Sequence, residues 1–438
     1  FTLAVGQVAE TITVIGQSPD IQLRSGERAF TLQAEAMQNI AVNGRSFFQL
    51  AGYVPGVVPT SDAPVQVSGF NVNGQRPNSN NMTMDGVANI DTGDNGGNMA
   101  QTNLDAVAEF KVLTSSYQAE YGRAVGGQMQ VVTKSGGHNF GGSAYWYGRR
   151  SRWNANTYLN ERITPSKTTV TPLPKSSRND QGFTIGGPVY IPGVFNVEKK
   201  KLFFFFSQEF QRRKDPVGEQ RATVPTLLER KGDFSQSVDI NGNPYPYIRD
   251  YTTGLPCSAS NTSGCFADGG VLGRIPANRL YAPSLAALSL FPEPNVSGQK
   301  GYNYKSQTPG SAPLNQTLIR SDYQVNDNWR VMGRYMFNSY TQWMPYGVSG
   351  WSIGGNIDDF DVTNATPGRN WMGAMTGILN NTTSLEISVG SAHNSLDHYT
   401  TEQKFTRAYL TQLSGQMPAG SMARGQAIPM LNTTAIQN

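Results

Sequence analysis

The chain has 438 residues, a length that allows two or three domains or one large barrel. It has 35 Lys and Arg against 31 Asp and Glu, and its only dense basic runs are Lys199–Lys201 and Arg212–Lys214, so nothing indicates a nucleic-acid-binding protein. Charged residues make up only 15% of the chain, whereas Gly (47), Pro (25) and aromatic residues (10%) are frequent, which favours many short strands and turns over long helices.

No run of about 18 apolar residues occurs, so the sequence predicts no membrane-spanning helix. The strands of a membrane β-barrel would escape such a scan because they alternate apolar and polar side chains. The sequence starts at Phe1, without a methionine or a signal peptide, and stops at "LNTTAIQN". We therefore interpret it as part of a longer polypeptide.

Through residue 136 the sequence predicts a compact α+β domain of roughly 120 residues, an ordinary domain size. A β-branched run at residues 8–20 ends in a break of Gly, Pro and Asp. Residues 35–59 indicate one or two short helices with turns at Asn43–Gly44 and Pro55–Gly56. Residues 65–91 alternate in a pattern that predicts strand, loop and strand.

Near the end of this domain, the sequence predicts the start of a short helix at Leu104–Glu109 and a strand at Phe110–Leu113. A last strand is predicted at Gln128–Thr133, with Met129 and Val131 on one face and Val132 on the other. The glycine pair before that strand would let the backbone turn tightly and pack closely.

After residue 137 several segments alternate with a period of two. In "KLFFFFSQEFQRR", one face carries Leu202 with three phenylalanines, whereas Ser207 and Glu209 fall on the other face with two more. Residues 317–340 predict a hairpin around the turn at 326–328, and residues 371–394 predict a second hairpin around an Asn-Asn turn.

Two architectures fit strands with one apolar and one charged face. A soluble sandwich buries the apolar face, whereas a membrane barrel turns it toward lipid. The predicted strands run about ten residues, near the length that crosses a bilayer at a tilt, and sandwich strands are nearer five or six. Tight turns also alternate with long polar connections such as residues 223–315, which fits short periplasmic turns and long external loops.

These segments resemble a known family. "LDAVAEFKVLTSSYQAEYGRAVGGQMQVVTKSG" is similar to the end of the plug domain of TonB-dependent outer-membrane transporters, and "FNVNGQRPNSNNMTMDGVANID" to the middle of that plug. "GFTIGGPVY…KKKLFFFFSQEFQ" is similar to the first barrel strands of the Oar-like branch. The resemblance implies an α+β plug domain followed by part of an antiparallel transmembrane β-barrel, with only the first of the family's roughly 22 strands present.

The resemblance divides the chain into three parts. Residues 1–18 would hold the tail of an N-terminal β-sandwich extension and a TonB box, residues 19–137 the plug, and residues 138–438 the N-terminal part of the barrel with long external loops. The segment resembling a TonB box, which would add a strand to TonB through main-chain hydrogen bonds, is Glu10, Thr11, Ile12, Thr13 and Val14. The alternative for that segment is the last strand of a preceding domain.

Within the plug, the resemblance indicates ligand contacts at the outer apices and a hinge before the barrel. The ligand candidates are Arg76, Asn78, Asn80, Asp91, Asp94 and Asn98. The hinge candidates are Gly126, Gly127, Lys134, Gly136 and Gly137. Calcium held by Asp91, Asp94 and Asn98 is an alternative, but their spacing fails the EF-hand pattern and a plug loop is the better interpretation. We therefore expect no metal site.

One departure from the family pattern concerns the lock between plug and barrel. Many plugs carry Arg-Gly where this chain has Thr114–Ser116. An ionic lock would then use other arginines, and Arg76 and Arg123 are the candidates, with solvated or turn-capping arginines as the alternative.

Two further features of the sequence concern covalent chemistry. The two cysteines, Cys257 and Cys265, lie in the polar, turn-rich segment "PCSASNTSGC", which predicts a loop disulfide in an oxidising compartment, with two free thiols as the alternative. The segment "GWSIG" at residues 350–354 matches G-x-S-x-G, but it lacks the strand before and the helix after that a nucleophile elbow needs. We therefore expect neither an enzyme nor a cofactor.

The resemblance implies a receptor in the bacterial outer membrane, with the plug facing the periplasm and the loops facing the exterior. It would bind an unknown surface ligand and import it when TonB, with its inner-membrane energising partners, moves the plug. It would also contact outer-membrane lipid, and it would bind no nucleic acid. Two alternatives remain open: a barrel-anchored adhesion or assembly protein, and a soluble all-β carbohydrate-binding or hydrolytic domain.

Overall fold

The computed structural model describes residues 26–399, except 41, 43–44, 61–68, 92, 94–95, 119, 164–169, 348–355, 359–360. The β-branched run with its TonB box candidate, the Asn43–Gly44 turn, Asp94 and the G-x-S-x-G segment all include residues outside that part. The chain divides into two compact units. The first takes the chain up to Asn98 together with Val107–Thr133, and the second takes Met99–Ala106 together with the chain from Lys134 onward.

The first unit is an α+β domain, as the sequence predicts. Its elements are β1 (Arg28–Gln33), α1 (Ala34–Asn39), β2 (Val57–Pro59), β3 (Phe70–Val72), β4 (Asn81–Met84), β5 (Val87–Ala88), β6 (Val107–Ser115) and β7 (Gln128–Thr133). The main sheet has the order β1-β6-β7-β4-β5, with β4 and β7 parallel and the other neighbours antiparallel. A 3₁₀ helix at Phe47–Tyr53 follows α1, and β2 pairs with β3.

The core of this unit comes from the buried faces of its strands and its 3₁₀ helix. Phe47, Phe70 and Phe110 are all at most 2% exposed, and the Phe47 and Phe110 rings lie 5.7 Å apart. Strand β7 has the predicted bounds, with Met129 and Val131 buried and Val132 41% exposed, so its predicted faces are confirmed.

The helix predicted at Leu104–Glu109 is wrong. A single 3₁₀ turn occupies Leu104–Ala106, and β6 already begins at Val107. Val107 pairs with Thr133 and is fully buried, so sheet pairing overrides the local helical pattern.

Within the described residues, the second unit is built from seven long antiparallel strands that follow one another along the chain. They are β8 (Gly141–Arg150), β9 (Ser177–Pro188), β10 (Leu202–Asp215), β16 (Leu314–Asn326), β17 (Trp329–Met344), β19 (Gly368–Asn380) and β20 (Thr383–Asn394). Shorter elements are α2 (Tyr158–Glu161), β11 (Gln220–Ala222), β12 (Ala267–Asp268), β13 (Val271–Leu272), α3 (Ala282–Leu288), β14 (Tyr304–Ser306), β15 (Gly310–Ser311), β18 (Val362–Ala365) and β21 (Asp397–Tyr399).

These seven strands form one meander in the order β8-β9-β10-β16-β17-β19-β20, which we call the wall. Its strands are 10 to 16 residues long. Both predicted hairpins are confirmed, β16 with β17 and β19 with β20. The connections at residues 189–201, 327–328 and 381–382 lie at one edge of the wall, and the longer connections at 151–176, 216–313 and 345–367 lie at the other.

The long connection between β10 and β16 has a hydrophobic core of its own, and we call residues 216–313 the inserted module. Val224, Leu290, Phe291 and Tyr304 are buried together with Ile357 from a later connection. Arg230 donates to the carbonyl oxygens of Leu288, Phe291 and Pro292 at 2.6 to 3.0 Å. Cys257 and Cys265 form a disulfide with a Cα separation of 4.8 Å. The segment is therefore an ordered module rather than a plain polar loop.

Among the residues that the structure describes, none of the helices has the length and apolar character needed to cross a bilayer.

Candidate functional site

The inner strands of the wall bury their polar face and expose their apolar face, whereas the edge strands β8 and β20 are largely exposed on both faces. On β16 and β17, the side chains of the polar series are 3 to 8% exposed: Arg320, Asp322, Arg334 and Asn338. The apolar residues that alternate with them are 39 to 47% exposed: Ile319, Val331 and Tyr335. A soluble sandwich requires the opposite arrangement, so the wall has the pattern of a membrane barrel and the soluble all-β alternative is wrong.

The apolar side of the wall forms continuous rows across the strands. Ile185, Phe206, Ile319, Tyr335 and Trp371 are successive cross-strand partners from β9 to β19. The Phe183 and Phe206 rings lie 5.7 Å apart on the same side. Such a row offers a smooth apolar surface to lipid chains.

The polar side has a matching row three residues further along the strands. Tyr145, Gly182 and Glu209 are partners across β8, β9 and β10, and the row continues through Gln316 and Asn338. The Tyr145 hydroxyl donates to the Glu209 carboxylate across Gly182. A Cβ on Gly182 would stand 2.5 Å from the Tyr145 hydroxyl oxygen, so only glycine allows this reach.

Charges on the polar side are arranged in hydrogen-bonded groups. Asp322 accepts from Arg320 at 2.9 and 3.0 Å and also binds Arg330. At the other end of the wall, Arg178 lies 2.6 Å from Asp180 and 3.0 Å from the Gln211 side chain. A buried charge is stable only when it is paired in this way, and such a face suits a wet lumen.

Residues Met99–Ala106 lie against this polar face, and we call them the strap. The Asn103 side chain donates to the Ser207 hydroxyl at 2.6 Å, and the Gln101 backbone N–H donates to the Asn338 side-chain oxygen at 2.9 Å. Near Met99, a Cβ on Gly368 would stand 2.1 Å from the Met99 carbonyl oxygen, so a glycine is required for this close approach.

The predicted hinge residues after β7 lie beside the strap. The Lys134 backbone N–H donates to the Ala106 carbonyl at 2.8 Å. Burial lowers the pKa of the Lys134 ammonium, and the Asp105 carboxylate opposes that shift. A Cβ on Gly136 would stand 2.2 Å from the Phe204 carbonyl oxygen, whereas one on Gly137 has no described atom within 4 Å. The two glycines therefore differ. Gly136 permits close packing on β10, whereas the space around Gly137 would also accept a larger residue.

The other two predicted hinge glycines are in a different place. Gly126 and Gly127 lie before β7 inside the first unit, whereas the boundary between units follows β7. A Cβ on Gly126 would stand 2.5 Å from the Asn80 side-chain oxygen, and one on Gly127 2.9 Å from Val72. These close approaches indicate tight packing within the plug, and the hinge role of Gly126 and Gly127 stays a prediction.

The structure also corrects one predicted ligand residue. Asn80 is fully buried. Its amide donates to the Phe70 carbonyl at 2.9 Å and the Pro77 carbonyl at 3.1 Å, and its oxygen accepts from the Gly127 N–H at 2.9 Å. These bonds join the chain before β4 to the chain before β7, so Asn80 supports the plug fold.

The other described ligand candidates come from two separate stretches of the plug sequence, Arg76 and Asn78 in one and Asp91 and Asn98 in the other. Arg76 and Asn78 are exposed beside a 3₁₀ turn. The Asp91 carboxylate accepts from the Gly93 N–H at 2.8 Å, and Asn98 forms a β-bridge with Ile90. Arg123, the other candidate for an ionic lock, is exposed with a left-handed backbone at φ 60°.

Sequence reasoning missed the strap and its partners. Ser207 and Glu209 alternate with phenylalanines on β10, and that pattern placed them on the polar face. Nothing in "MAQTNLDA" marks the strap, because its anchors are two backbone groups and one asparagine whose partners lie more than a hundred residues away.

Comparisons with known proteins agree with this geometry. Residues 25–128 match the TonB-dependent Receptor Plug Domain, and residues 132–438 match a family described as an Outer membrane beta barrel domain. The chain belongs to the TonB-dependent receptor family. The chain is 29% identical over 266 residues to the TonB-dependent transporter Oar of Myxococcus xanthus. That match takes in 57% of this chain but only 23% of Oar, so the chain spans about a quarter of that relative.

Solved structures also resemble the chain. The outer membrane transporter YddB of Escherichia coli is 10% identical with a TM-score of 0.49, over 84% of this chain and 39% of YddB. The siderophore receptor PirA of Pseudomonas aeruginosa is 10% identical with a TM-score of 0.44, over 84% of this chain and 41% of PirA. By their printed names, these relatives are two transporters and a siderophore receptor.

Proposed function

We propose that this chain is the plug and the first barrel strands of a receptor that binds a ligand at the cell surface and imports it through TonB-driven movement of the plug. The observation that carries the proposal is the inverted wall, whose buried face is polar and charged and whose exposed face is apolar. A barrel of this kind crosses the outer membrane and surrounds a polar lumen. A plug domain that precedes such a barrel is the arrangement of a gated importer.

The proposed ligand path begins at the edge of the wall with the long connections. The inserted module and the connection at residues 345–367 leave the wall at the same edge, opposite the two-residue turns at 327–328 and 381–382. Barrels of this class have long extracellular loops and short periplasmic turns. We therefore assign the inserted module to the exterior and the short turns to the periplasm, with Arg76, Asn78, Asp91 and Asn98 as the plug residues offered to a ligand.

The proposed partner is TonB, through Glu10–Val14. A β-branched segment of this length can add a strand to an exposed sheet edge, because main-chain hydrogen bonds supply most of the affinity. A proline in the middle would remove one backbone donor and block that pairing. A valine at the same place would keep it, since valine favours the extended backbone.

The experiment uses the full-length receptor in its native host. Cells with the wild type, a deletion of Glu10–Val14, Ile12→Pro or the matched control Ile12→Val receive a panel of labelled ferric siderophores, cobalamin, oligosaccharides and peptides. We expect wild type and Ile12→Val to bind and accumulate one compound class. The deletion and Ile12→Pro should bind it equally well without accumulating it. Accumulation by the deletion variant would refute the TonB-driven mechanism.

A second candidate is a barrel-anchored adhesion protein. The inserted module favours it, because a disulfide and a separate hydrophobic core are typical of a rigid surface-displayed unit. Replacing residues 223–303 by a short Gly-Ser linker in the full-length protein distinguishes the two functions. Loss of cell–cell adhesion with unchanged uptake would support adhesion, whereas loss of binding and uptake with unchanged adhesion would support the receptor.

A further inference from the structure

The three connections at the edge of the wall with the short turns differ in length and chemistry. Those at residues 327–328 and 381–382 are polar, Asp-Asn and Asn-Thr, whereas the connection between β9 and β10 reads "VYIPGVFNVEKKK". We call this connection, residues 189–201, the basic hairpin. Two residues are enough to join neighbouring antiparallel strands, so the additional length is not needed for the connection itself.

The basic hairpin is ordered by one buried side chain, that of Asn196. Its amide donates to the carbonyl oxygens of Val189 at 2.8 Å and Leu202 at 3.0 Å. Its oxygen accepts from the Lys201 backbone N–H at 2.8 Å. An isolated β-bridge closes the tip. The hairpin therefore has a defined shape that does not depend on burying its apolar side chains.

The apolar side chains at the tip of the basic hairpin are exposed. Val194 is 79% exposed, Val197 57% and Ile191 54%. Single apolar side chains are common on the surface of a soluble protein, whereas a group of them marks a surface that contacts a membrane or another protein. The tip therefore has the character of a contact surface.

A column of aromatic rings connects the basic hairpin to the lipid-facing side of the wall. Phe204 lies two residues before Phe206 on β10 and therefore on the same face. The Phe140 ring lies 6.3 Å from that of Phe204 and 6.2 Å from that of Tyr190 in the hairpin. The Lys199 ammonium lies 4.7 Å from the centroid of the Tyr190 ring. The column therefore leads from the apolar face of the wall to a cation.

A phospholipid carries its groups in the same order. Its acyl chains lie against apolar and aromatic side chains, and its phosphate lies at the aqueous end, within reach of a lysine. The hairpin has three lysines against one glutamate, and Glu198 forms an exposed ion pair with Lys200 at 3.1 Å. Its positive charge complements an anionic headgroup. Because the column continues the lipid-facing side of the wall, lipid is favoured over a protein as the occupant.

We propose that the basic hairpin is a binding site for an anionic phospholipid, with Phe140 and Tyr190 against an acyl chain and Lys199 on the phosphate. The exposed Lys200 and Lys201 add selectivity for an anionic over a zwitterionic headgroup, and the apolar tip lies in the membrane interface. The proposed function puts this edge of the wall at the periplasm, so the choice of the inner leaflet of the outer membrane rests on that function. Lipid binding itself rests on the lipid-facing wall alone.

The first experiment measures lipid binding to the purified full-length receptor in a neutral detergent by native mass spectrometry. The probes are phosphatidylglycerol and phosphatidylcholine with identical acyl chains. We expect the wild type to bind phosphatidylglycerol more tightly. Replacing all three lysines, Lys199→Gln, Lys200→Gln and Lys201→Gln, should weaken phosphatidylglycerol binding at least about fivefold and leave phosphatidylcholine binding unchanged, since each lysine at a membrane surface contributes about that factor. Replacing the same three lysines by arginine should preserve the selectivity.

The matched control replaces three exposed lysines of the inserted module by glutamine, Lys231→Gln, Lys300→Gln and Lys305→Gln. It should bind both lipids as the wild type does. An equal loss of phosphatidylglycerol binding in the control, or wild-type selectivity in the hairpin variant, would overturn the proposed site.

The second experiment locates the tip while keeping all three lysines. A bimane fluorophore is attached to Val194→Cys or, in the control, to Asn381→Cys in a polar turn at the same edge, with the receptor in phosphatidylglycerol liposomes. A nitroxide near the headgroup end of the acyl chains should quench most of the Val194→Cys fluorescence and much less of that at Asn381→Cys. Equal quenching at the two positions would contradict insertion of the tip. Neither assay involves TonB or transport, so failure here leaves the uptake mechanism standing, and the reverse also holds.

Discussion

The substitution Ile319→Arg tests whether the exposed face of the wall is in contact with lipid. Ile319 lies at the middle of β16, is 47% exposed and has Phe206 and Tyr335 as its cross-strand partners. An arginine at the centre of a membrane strand costs about 2–4 kcal/mol. At an exposed position of a soluble sheet the same change would cost at most about 0.5 kcal/mol.

The matched control is Val325→Arg on the same face of the same strand. Val325 is 43% exposed and lies six positions nearer the turn at 327–328. Six residues advance about 20 Å along a strand, and a tilt of roughly 40° reduces this to about 15 Å along the membrane normal. That depth lies beyond the edge of an apolar band about 25 Å tall, where an arginine costs about 0–1 kcal/mol.

The assay is reversible urea unfolding of the full-length receptor in short-chain phosphocholine vesicles, followed by tryptophan fluorescence and by heat-modifiable mobility on gels. We expect Ile319→Arg to lower the free energy of unfolding by about 2–4 kcal/mol and Val325→Arg by less than about 1 kcal/mol. Losses that agree within about 0.5 kcal/mol would refute a lipid-facing strand.

Three further predictions concern the buried charges, the hinge and the inserted module. Asp322→Asn leaves two arginines without their carboxylate and should cost about 3 kcal/mol in the same assay. Gly136→Ala forces a methyl group against a carbonyl oxygen of β10 and should cost about 1–3 kcal/mol. Hydrogen bonds from Arg279 and Thr252 hold the pKa of Asp250 below its usual range, so its contribution to the module is complete above pH ~4 and is lost as pH falls below that value. The module should therefore become less resistant to protease when the pH is lower than ~4.

Each of these has a control in the same chain. Glu198→Gln removes half of an ion pair whose side chains are 69% and 79% exposed, and it should cost less than about 1 kcal/mol; an equal loss for Asp322→Asn would contradict the buried network. Gly137→Ala meets no described atom and should be neutral, so equal effects at both glycines would count against close packing at Gly136. Asp250→Asn should flatten the acid sensitivity of the module, and an unchanged pH profile would show that another group titrates.

Much of the wall could be predicted because it depends on local alternation. The period of two in β10, β16 and β17 assigned each side chain to a face, and the Asn-rich turns set the registers of both hairpins. Periodicity could not say which face was buried. The structure shows which face is buried, because Arg334 is buried and its neighbour Tyr335 is exposed. This burial arises only when the strands form one continuous wall.

The remaining features depend on contacts between distant parts of the chain. Asn80 belongs to an Asn-rich turn that looks exposed in sequence, but the chain before β7 covers it. Val107 continues a helical pattern, but its partner Thr133 places it in the sheet. The core of the inserted module combines Val224 with Ile357, more than a hundred residues later. None of these pairings can be recognised from a short stretch of the sequence.

The most direct test of the proposed receptor is the topology of the wall in intact cells. Single cysteines replace Gln299 in the inserted module and Asp327 in a short turn, both exposed, in the full-length receptor, whose Cys257 and Cys265 are paired. A membrane-impermeant maleimide should label Gln299→Cys in intact cells and Asp327→Cys only after the outer membrane is permeabilised. Labelling of Asp327→Cys in intact cells, or protection of Gln299→Cys, would contradict an outer-membrane receptor with its long loops at the cell surface.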